Sequence, residues 1–237
     1  MKIYFSLAPS NFNNFFNIKY DNNVVNIDSI DFSHIDLSKV TEMISLLQGC
    51  SSLESITFSK YTPIFLNSME GTFSGCSAIK SIDLSNFILP YVSYPLFSGC
   101  DNLIAVDLPK ILKLTTNPFM PSVFFVTLFS SSSSYYSPPA TSQLKLKYMN
   151  LCSLSGLDLQ KISGELFSFF MINVNINNFF ICLNEEDYLT VKTTFNNNLN
   201  QSTGQGTKIN ITLERCCDFN LDTLECELSP TSIPFDS

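Results

Sequence analysis

The stretch Phe73 to Phe87, FSGCSAIKSIDLSNF, decides how the rest of the chain is read. Its Gly-Cys pair recurs on both sides, in GCSSLESITFSKY from Gly49 and GCDNLIAVDLPKI from Gly99, with cysteines 26 and 24 residues apart. Self-similarity at a period of about 25 residues is the signature of a repeat architecture, in which each unit is one supersecondary element. Behind the Gly-Cys pair the apolar positions keep one spacing. They are Leu53, Ile56, Phe58 and Tyr61; Ile79, Ile82, Leu84 and Phe87; Leu103, Val106, Leu108 and Ile111. The same frame fits Ile27, Ile30, Phe32 and Ile35 upstream. Downstream it fits Leu154, Leu157, Leu159 and Ile162, preceded by Cys152, with Val123, Val126 and Leu128 filling the interval.

Alternation within each L-x-x-I-x-L core predicts a short strand with side chains pointing alternately in and out. Between strands, Val40, Met43 and Leu47 fall at i, i+3 and i+7, as do Leu66, Met69 and Phe73, which predicts a short helix. Gly49, Gly75 and Gly99 close that stretch, where a left-handed residue costs little only for glycine. One such unit cannot bury its apolar face alone, whereas stacked units can.

The phrases IDLSNF, LSKVTEM and FSGCSAIKSIDLS resemble the repeat of BspA-like leucine-rich-repeat surface proteins. The likeness is close over residues 27–111 and looser over 123–162. The resemblance implies an α/β leucine-rich-repeat solenoid, with one short parallel strand and one short helix or turn per repeat. It also implies a place on the cell surface or outside the cell, and a role in adhesion or host or matrix interaction. On this reading residues 1–26 form an N-terminal cap and residues 27–181 the solenoid, irregular after 112 with an inserted loop at 130–143. Residues 182–237 form a C-terminal cap or small strand-rich extension, in which Ile209, Ile211 and Leu213 alternate as a strand does.

Bulk composition narrows the function classes. The 237 residues are 45% hydrophobic and 14% charged, which demands a packed core rather than disorder. A net charge of −8 opposes phosphate neutralisation, so no nucleic-acid partner is expected. The most apolar stretch, Leu166 to Leu183, carries Asn173, Asn175, Asn177 and Asn178 and reads as buried core rather than a transmembrane segment. The N-terminal MKIYFSLAPSNFNNFF lacks a clean apolar run and reads poorly as a signal peptide. An intracellular scaffold with reduced cysteines is therefore the alternative to an exported binder.

Eight cysteines fall into two groups: Cys50, Cys76, Cys100 and Cys152 at repeat-like intervals, and Cys182, Cys216, Cys217 and Cys226 in the last quarter of the chain. Cys50, Cys76 and Cys100 sit where a small side chain is buried beside a corner carbonyl, so their expected role is structural. Cys182, Cys216, Cys217 and Cys226 are read as a disulfide cap on the open end; free thiols are the alternative, since CC followed by eight residues and Cys lacks common zinc spacing. Two glycosylation sequons, at Asn200 and Asn210, are compatible with secretion. No cofactor and no metal site is expected.

The outward strand positions are the candidate site. In-register repeats would align Asp31, Thr57, Asp83, Asp107 and Asp158 in one column, with Ser29, Ser55 and Ser81 beside it. His34, Lys60, Asn86, Lys110 and Lys161 would form a mildly basic column next to them. Such short polar side chains make either a solvated face or a shallow binding surface for a protein or glycan, with Lys60 and Lys110 contributing cations. Catalysis has little support. His34 is the only histidine, no nucleotide or zinc-protease motif occurs, and Glu185, Glu186 and Asp187 read as a turn or helix start. A hydrolase on the concave face is the least favoured alternative, because no carboxylate pair is singled out.

Overall fold

A strand of three to five residues is what a single L-x-x-I-x-L core can make, and such strands persist only when neighbours complete their hydrogen bonds. A computed structural model describes residues 10–17, 26–90, 95–112, 128–129, 145–154, 179–184, 187–193, 211–215, 218–223 and 225–227. The described residues form mostly parallel strands in sheets, with few helical positions.

β1 (Ser29–Phe32) pairs in parallel with β2 (Ser55–Phe58), Ile30 opposite Ile56. A five-stranded sheet contains β4 (Ser81–Asp83), β6 (Ala105–Asp107), β8 (Tyr148–Asn150), β9 (Phe179–Leu183) and β10 (Ile211–Arg215) as successive neighbours. All of its pairs are parallel, and Ile82, Val106, Met149, Ile181 and Leu213 share one register position. A second set of short strands, β3 (Ile64–Phe65), β5 (Phe87–Leu89) and β7 (Lys110–Ile111), forms a parallel three-stranded sheet. β11 (Asp218–Asn220) and β12 (Glu225–Glu227) make an antiparallel pair.

The core lies between these sheets and the turn segments. Ile82, Val106, Met149 and Ile181 are buried there with Met43, Met69, Phe73 and Phe97. Phenylalanines run through it unit by unit: Phe32 stacks on Phe58 at 5.5 Å, and Phe58 meets Phe87 edge-on at 4.8 Å. Each such contact adds roughly 0.5–1.5 kcal/mol to the burial of the rings.

The expected helices are replaced by successive turns. Every second N–H leaves its own segment: Met43, Ser45, Leu47 and Gly49 donate to Ser68, Glu70, Thr72 and Ser74 of the next unit. The alternate donors close tight local turns, Leu46 to Met43, Gln48 to Ser45 and Cys50 to Leu47. An α-helix needs each N–H for the carbonyl four residues back, so this division excludes it. Residues 10–17 continue the pattern. Phe12, Asn14 and Phe16 donate to Glu42, Ile44 and Leu46, so part of the segment read as a cap is built like the units after it.

Glycine is required at the corner: Gly49, Gly75 and Gly99 have φ of 85°, 80° and 73°. A second left-handed position is occupied by Asn14, Ser45 and Gly71 in turn, at 57°, 52° and 61°. A hydroxyl is admitted into the core at Thr72, whose Oγ1 lies 2.6 Å from the Met43 carbonyl and 2.7 Å from that of Met69.

Three sequence expectations are corrected. Tyr61 is 96% exposed, because Ser59 to Pro63 form an extra excursion and Ile64 takes the register position of Phe87. β6 pairs directly with β8, and Leu128, expected on a strand between them, is helical; Val123 and Val126 lie outside the described residues. Leu154 ends a unit instead of starting one: Leu146, Met149, Leu151 and Leu154 repeat the spacing of Ile79, Ile82, Leu84 and Phe87, with Cys152–Leu154 as a 3-10 turn. Leu157, Leu159 and Ile162 lie outside the described residues. Residues 187–193 are helical, as the acidic start suggested; Asn184 Oδ1 accepts from the Asp187 N–H at 2.9 Å. β10 extends the main sheet, so the alternation at Ile211 and Leu213 marks one more parallel strand. Among the described residues no helix is long and apolar enough to cross a membrane.

Candidate functional site: the outward strand face

With Ile82 and Val106 pointing into the core, the residues on either side of them point out. Register places Ser29 beside Ser55, Asp31 beside Thr57, Ser81 beside Ala105 and Asp83 beside Asp107. Beyond β6 the outward row continues through Tyr148 and Asn150 to Phe180 and Cys182. Asp158, placed in this column from sequence, lies outside the described residues; its position next to Asp107 is held by Asn150. Sequence reasoning missed Tyr148, Asn150, Phe180 and Cys182, although the spacing of Leu146, Met149 and Leu151 could have located β8.

The face changes character from β1 and β2 to the strands of the five-stranded sheet. Ser29, Asp31, Ser55 and Thr57 are exposed, Ser81 and Asp83 half-buried. Ala105, Tyr148 and Cys182 are buried in a small apolar cluster with Cys152 and Phe180 packed against it. The open portion is therefore the N-terminal one, where hydroxyls and carboxylates are accessible.

The acidic column has a local job. Asp31 Oδ1 accepts the Ser33 N–H at 2.8 Å, Asp83 Oδ1 accepts the Ser85 N–H at 3.0 Å, and Asn150 Oδ1 accepts the Cys152 N–H at 2.8 Å. A short acceptor two residues before a free N–H turns the chain at the end of the strand. Hydrogen bonds from Ser33 hold Asp31 below the usual carboxylate range. Asp107 departs from this pattern, because the residue two positions on is Pro109, which has no N–H.

The cations do not form the expected column. Lys60 reaches Asp83, Nζ to Oδ2 3.1 Å, and so joins the acidic row. Burial pushes Asp83 up, but hydrogen bonds from Ser85 and the Lys60 ammonium outweigh it and leave its carboxyl below the usual range. Lys110 lies on β7 in register with Ile88, in the second sheet, and is corrected out of the site. Asn86 Nδ2 donates to the Ser59 and Thr62 carbonyls, bracing the excursion that carries Lys60. His34 is exposed, and Lys161 lies outside the described residues. Asp107 behaves differently from Asp83. Burial, then the neighbouring Asp83 charge, pushes it up to about 6, against hydrogen bonds from Asn150 and Tyr148 and the charge of Lys60.

The repeat cysteines are structural, as expected. Cys50, Cys76 and Cys100 are buried, and their S–H groups donate to the carbonyls of Phe16, Leu47 and Phe73 at 3.3, 3.3 and 3.1 Å. Burial pushes the Cys50 thiol up to about 11 and Cys100 to about 12, and raises Cys76 as well, so none is a nucleophile near neutral pH. The disulfide set differs from the expected one: Cys182 is a buried thiol, while Cys152 is disulfide-bonded. Cys216 and Cys217 lie outside the described residues, as do the sequon asparagines Asn200 and Asn210 and the 130–143 insertion; for Cys226 only the backbone is described. Among the described residues no group of His, Cys, Asp and Glu could hold a metal ion.

Compared with known proteins, the chain matches no family model, no curated protein and no solved structure.

Proposed function

We propose that this chain is a leucine-rich-repeat solenoid of the BspA-like kind, and that its outward strand face is a non-catalytic binding surface for a protein or glycan partner outside the cell. The observation that carries the reading is the outward row itself. On the adjacent parallel strands β1 and β2, Ser29 with Ser55 and Asp31 with Thr57 stay exposed, while the inward partners join the core. Short side chains at a fixed interval leave a shallow, even surface, the usual contact face of repeat proteins. Parallel pairing in register at Ile82, Val106, Met149 and Ile181, together with the repeated Gly-Cys corner, supports the repeat architecture. A disulfide at Cys152 supports an oxidising compartment, where such bonds persist.

The test is direct binding of the full chain to a glycan array and to plates coated with fibronectin, laminin and collagen. The reading expects a binder among these, and at least a tenfold loss of affinity in the double variant Asp31→Lys, Thr57→Lys with an unchanged circular dichroism spectrum. Binding that survives both substitutions, or no binding anywhere on the panel, rejects this face.

A further inference from the structure

Two carboxylates face each other across the boundary between β4 and β6, and one ammonium serves them. Asp83 and Asp107 are register partners on neighbouring parallel strands, about 5 Å apart in backbone spacing. Two like charges at that distance cannot both ionise without cost unless each is separately compensated. Compensation here is unequal. Asp83 receives the Ser85 N–H at 3.0 Å, the Ser85 hydroxyl at 2.6 Å and Lys60 Nζ at 3.1 Å. Asp107 has no comparable donor on its own strand end, because Pro109 stands where Ser85 stands after Asp83.

We propose that Asp83 and Asp107 form an unequal pair in which Asp83 keeps its charge against Lys60 while Asp107 takes up the proton, so that this row of the face sheds one negative charge in mildly acidic surroundings. The inference concerns regulation of the binding face and rests on that reading for its consequence, not for the titration itself.

The surroundings of Asp107 fit either protonation state. From β8, Asn150 and Tyr148 hydrogen-bond its carboxylate. An amide and a phenol can each donate to a carboxylate or accept from the neutral acid, so protonation leaves no group stranded. From the β4 side it faces Asp83, and from the excursion after β2 the Lys60 ammonium. Cys182 continues the row beyond Asn150 as a buried thiol. Lys80 and Lys147 stand three positions before Asp83 and Asn150, about 10 Å along the strands, and do not compensate Asp107 directly. The direction of its shift, up from the usual range, has burial as its first cause and Asp83 as its second. With Asp107 ionised, the trio of Asp83, Asp107 and Lys60 carries one net negative charge; with Asp107 protonated it is neutral.

The experiment is a carbon-detected NMR titration of the aspartate carboxyls in the full-length chain, with Asp107→Asn used only to assign the resonance. The inference expects the Asp107 signal to titrate near pH 6 and that of Asp83 to stay in the acid range. In Asp83→Asn, the Asp107 midpoint falls by about half a pH unit or more, the effect of removing one charge at this spacing. An Asp107 midpoint in the ordinary carboxylate range, or one that Asp83→Asn leaves in place, overturns the inference. Neither result touches the binding reading, which the array and plate assays decide separately.

Discussion

Replacing Gly75 with alanine isolates the corner on which each unit turns. Gly75 sits at φ 80°, where an L side chain costs roughly 1–2 kcal/mol. A Cβ added there would lie 3.3 Å from Gly49 Cα and 3.4 Å from Gly49 N, both backbone atoms of the neighbouring unit. Backbone cannot swing aside as a side chain does, so at least about 1 kcal/mol of overpacking is added. Reduced freedom of the unfolded chain returns about 0.5 kcal/mol, which leaves a net loss of about 2 kcal/mol. Gly71 provides the internal control. Its φ is 61°, but its added Cβ meets only the Ser45 hydroxyl, at 3.3 Å, and the equivalent positions already hold Asn14 and Ser45. Gly71→Asn should cost under about 1 kcal/mol, since asparagine tolerates the left-handed region. Urea unfolding followed by circular dichroism measures both. If Gly75→Ala is no more damaging than Gly71→Asn, the claim that close backbone approach fixes glycine at this corner is wrong.

Other perturbations read different parts of the structure. Asp107 has a folded-state value raised from 3.8 to about 6, so the stability it contributes is complete below 3.8 and is lost as pH rises through 6. Asp107→Asn should therefore stabilise the chain by about 1–3 kcal/mol at pH 7.5 and leave it unchanged near pH 3.5; a gain of equal size at both pH values would contradict that linkage. The thiols of Cys50, Cys76 and Cys100 should resist Ellman's reagent at pH 8 in the folded chain and react promptly in guanidinium, because burial keeps them protonated and out of reach. Ile82→Ala opens a hole among fully buried neighbours and should cost about 2–5 kcal/mol in urea, whereas Lys60→Met, which breaks an exposed ion pair, should cost no more than about 1 kcal/mol.

What could be read without coordinates was whatever one unit states about itself. The Gly-Cys corner, the strand at Ser81 to Asp83 and the inward Ile82 all follow from spacing inside a single unit, whereas the carbonyl that each buried cysteine meets belongs to the unit before it. The turn segments were misread because apolar residues at Val40, Met43 and Leu47 line one side of a helix or of a run of turns equally well. What separates the two is where Met43 and Ser45 send their N–H groups, and that destination is another unit. Leu154 falls at the wrong end of its unit in the sequence reading because both ends of the template are apolar, so a three-position spacing fits in either direction. At the candidate site, counting residues correctly pairs Asp31 with Thr57 and Asp83 with Asp107. Lys110 was not, since the second sheet pairs it with Ile88. The closing of the face at Tyr148 and Cys182 follows from partners distant along the chain, which no periodicity announces.

The pairing of β6 with β8 bears on how such a chain can diversify. Residues 108–147 separate two strands that nonetheless sit in matched register, Val106 opposite Met149, whereas residues 84–104 separate the preceding pair. Sheet geometry therefore does not meter the length of the intervening polypeptide. New material can enter at this junction, be lengthened or be exchanged, and the strands on either side need not notice; the junction is a natural port for grafting a tag or an epitope.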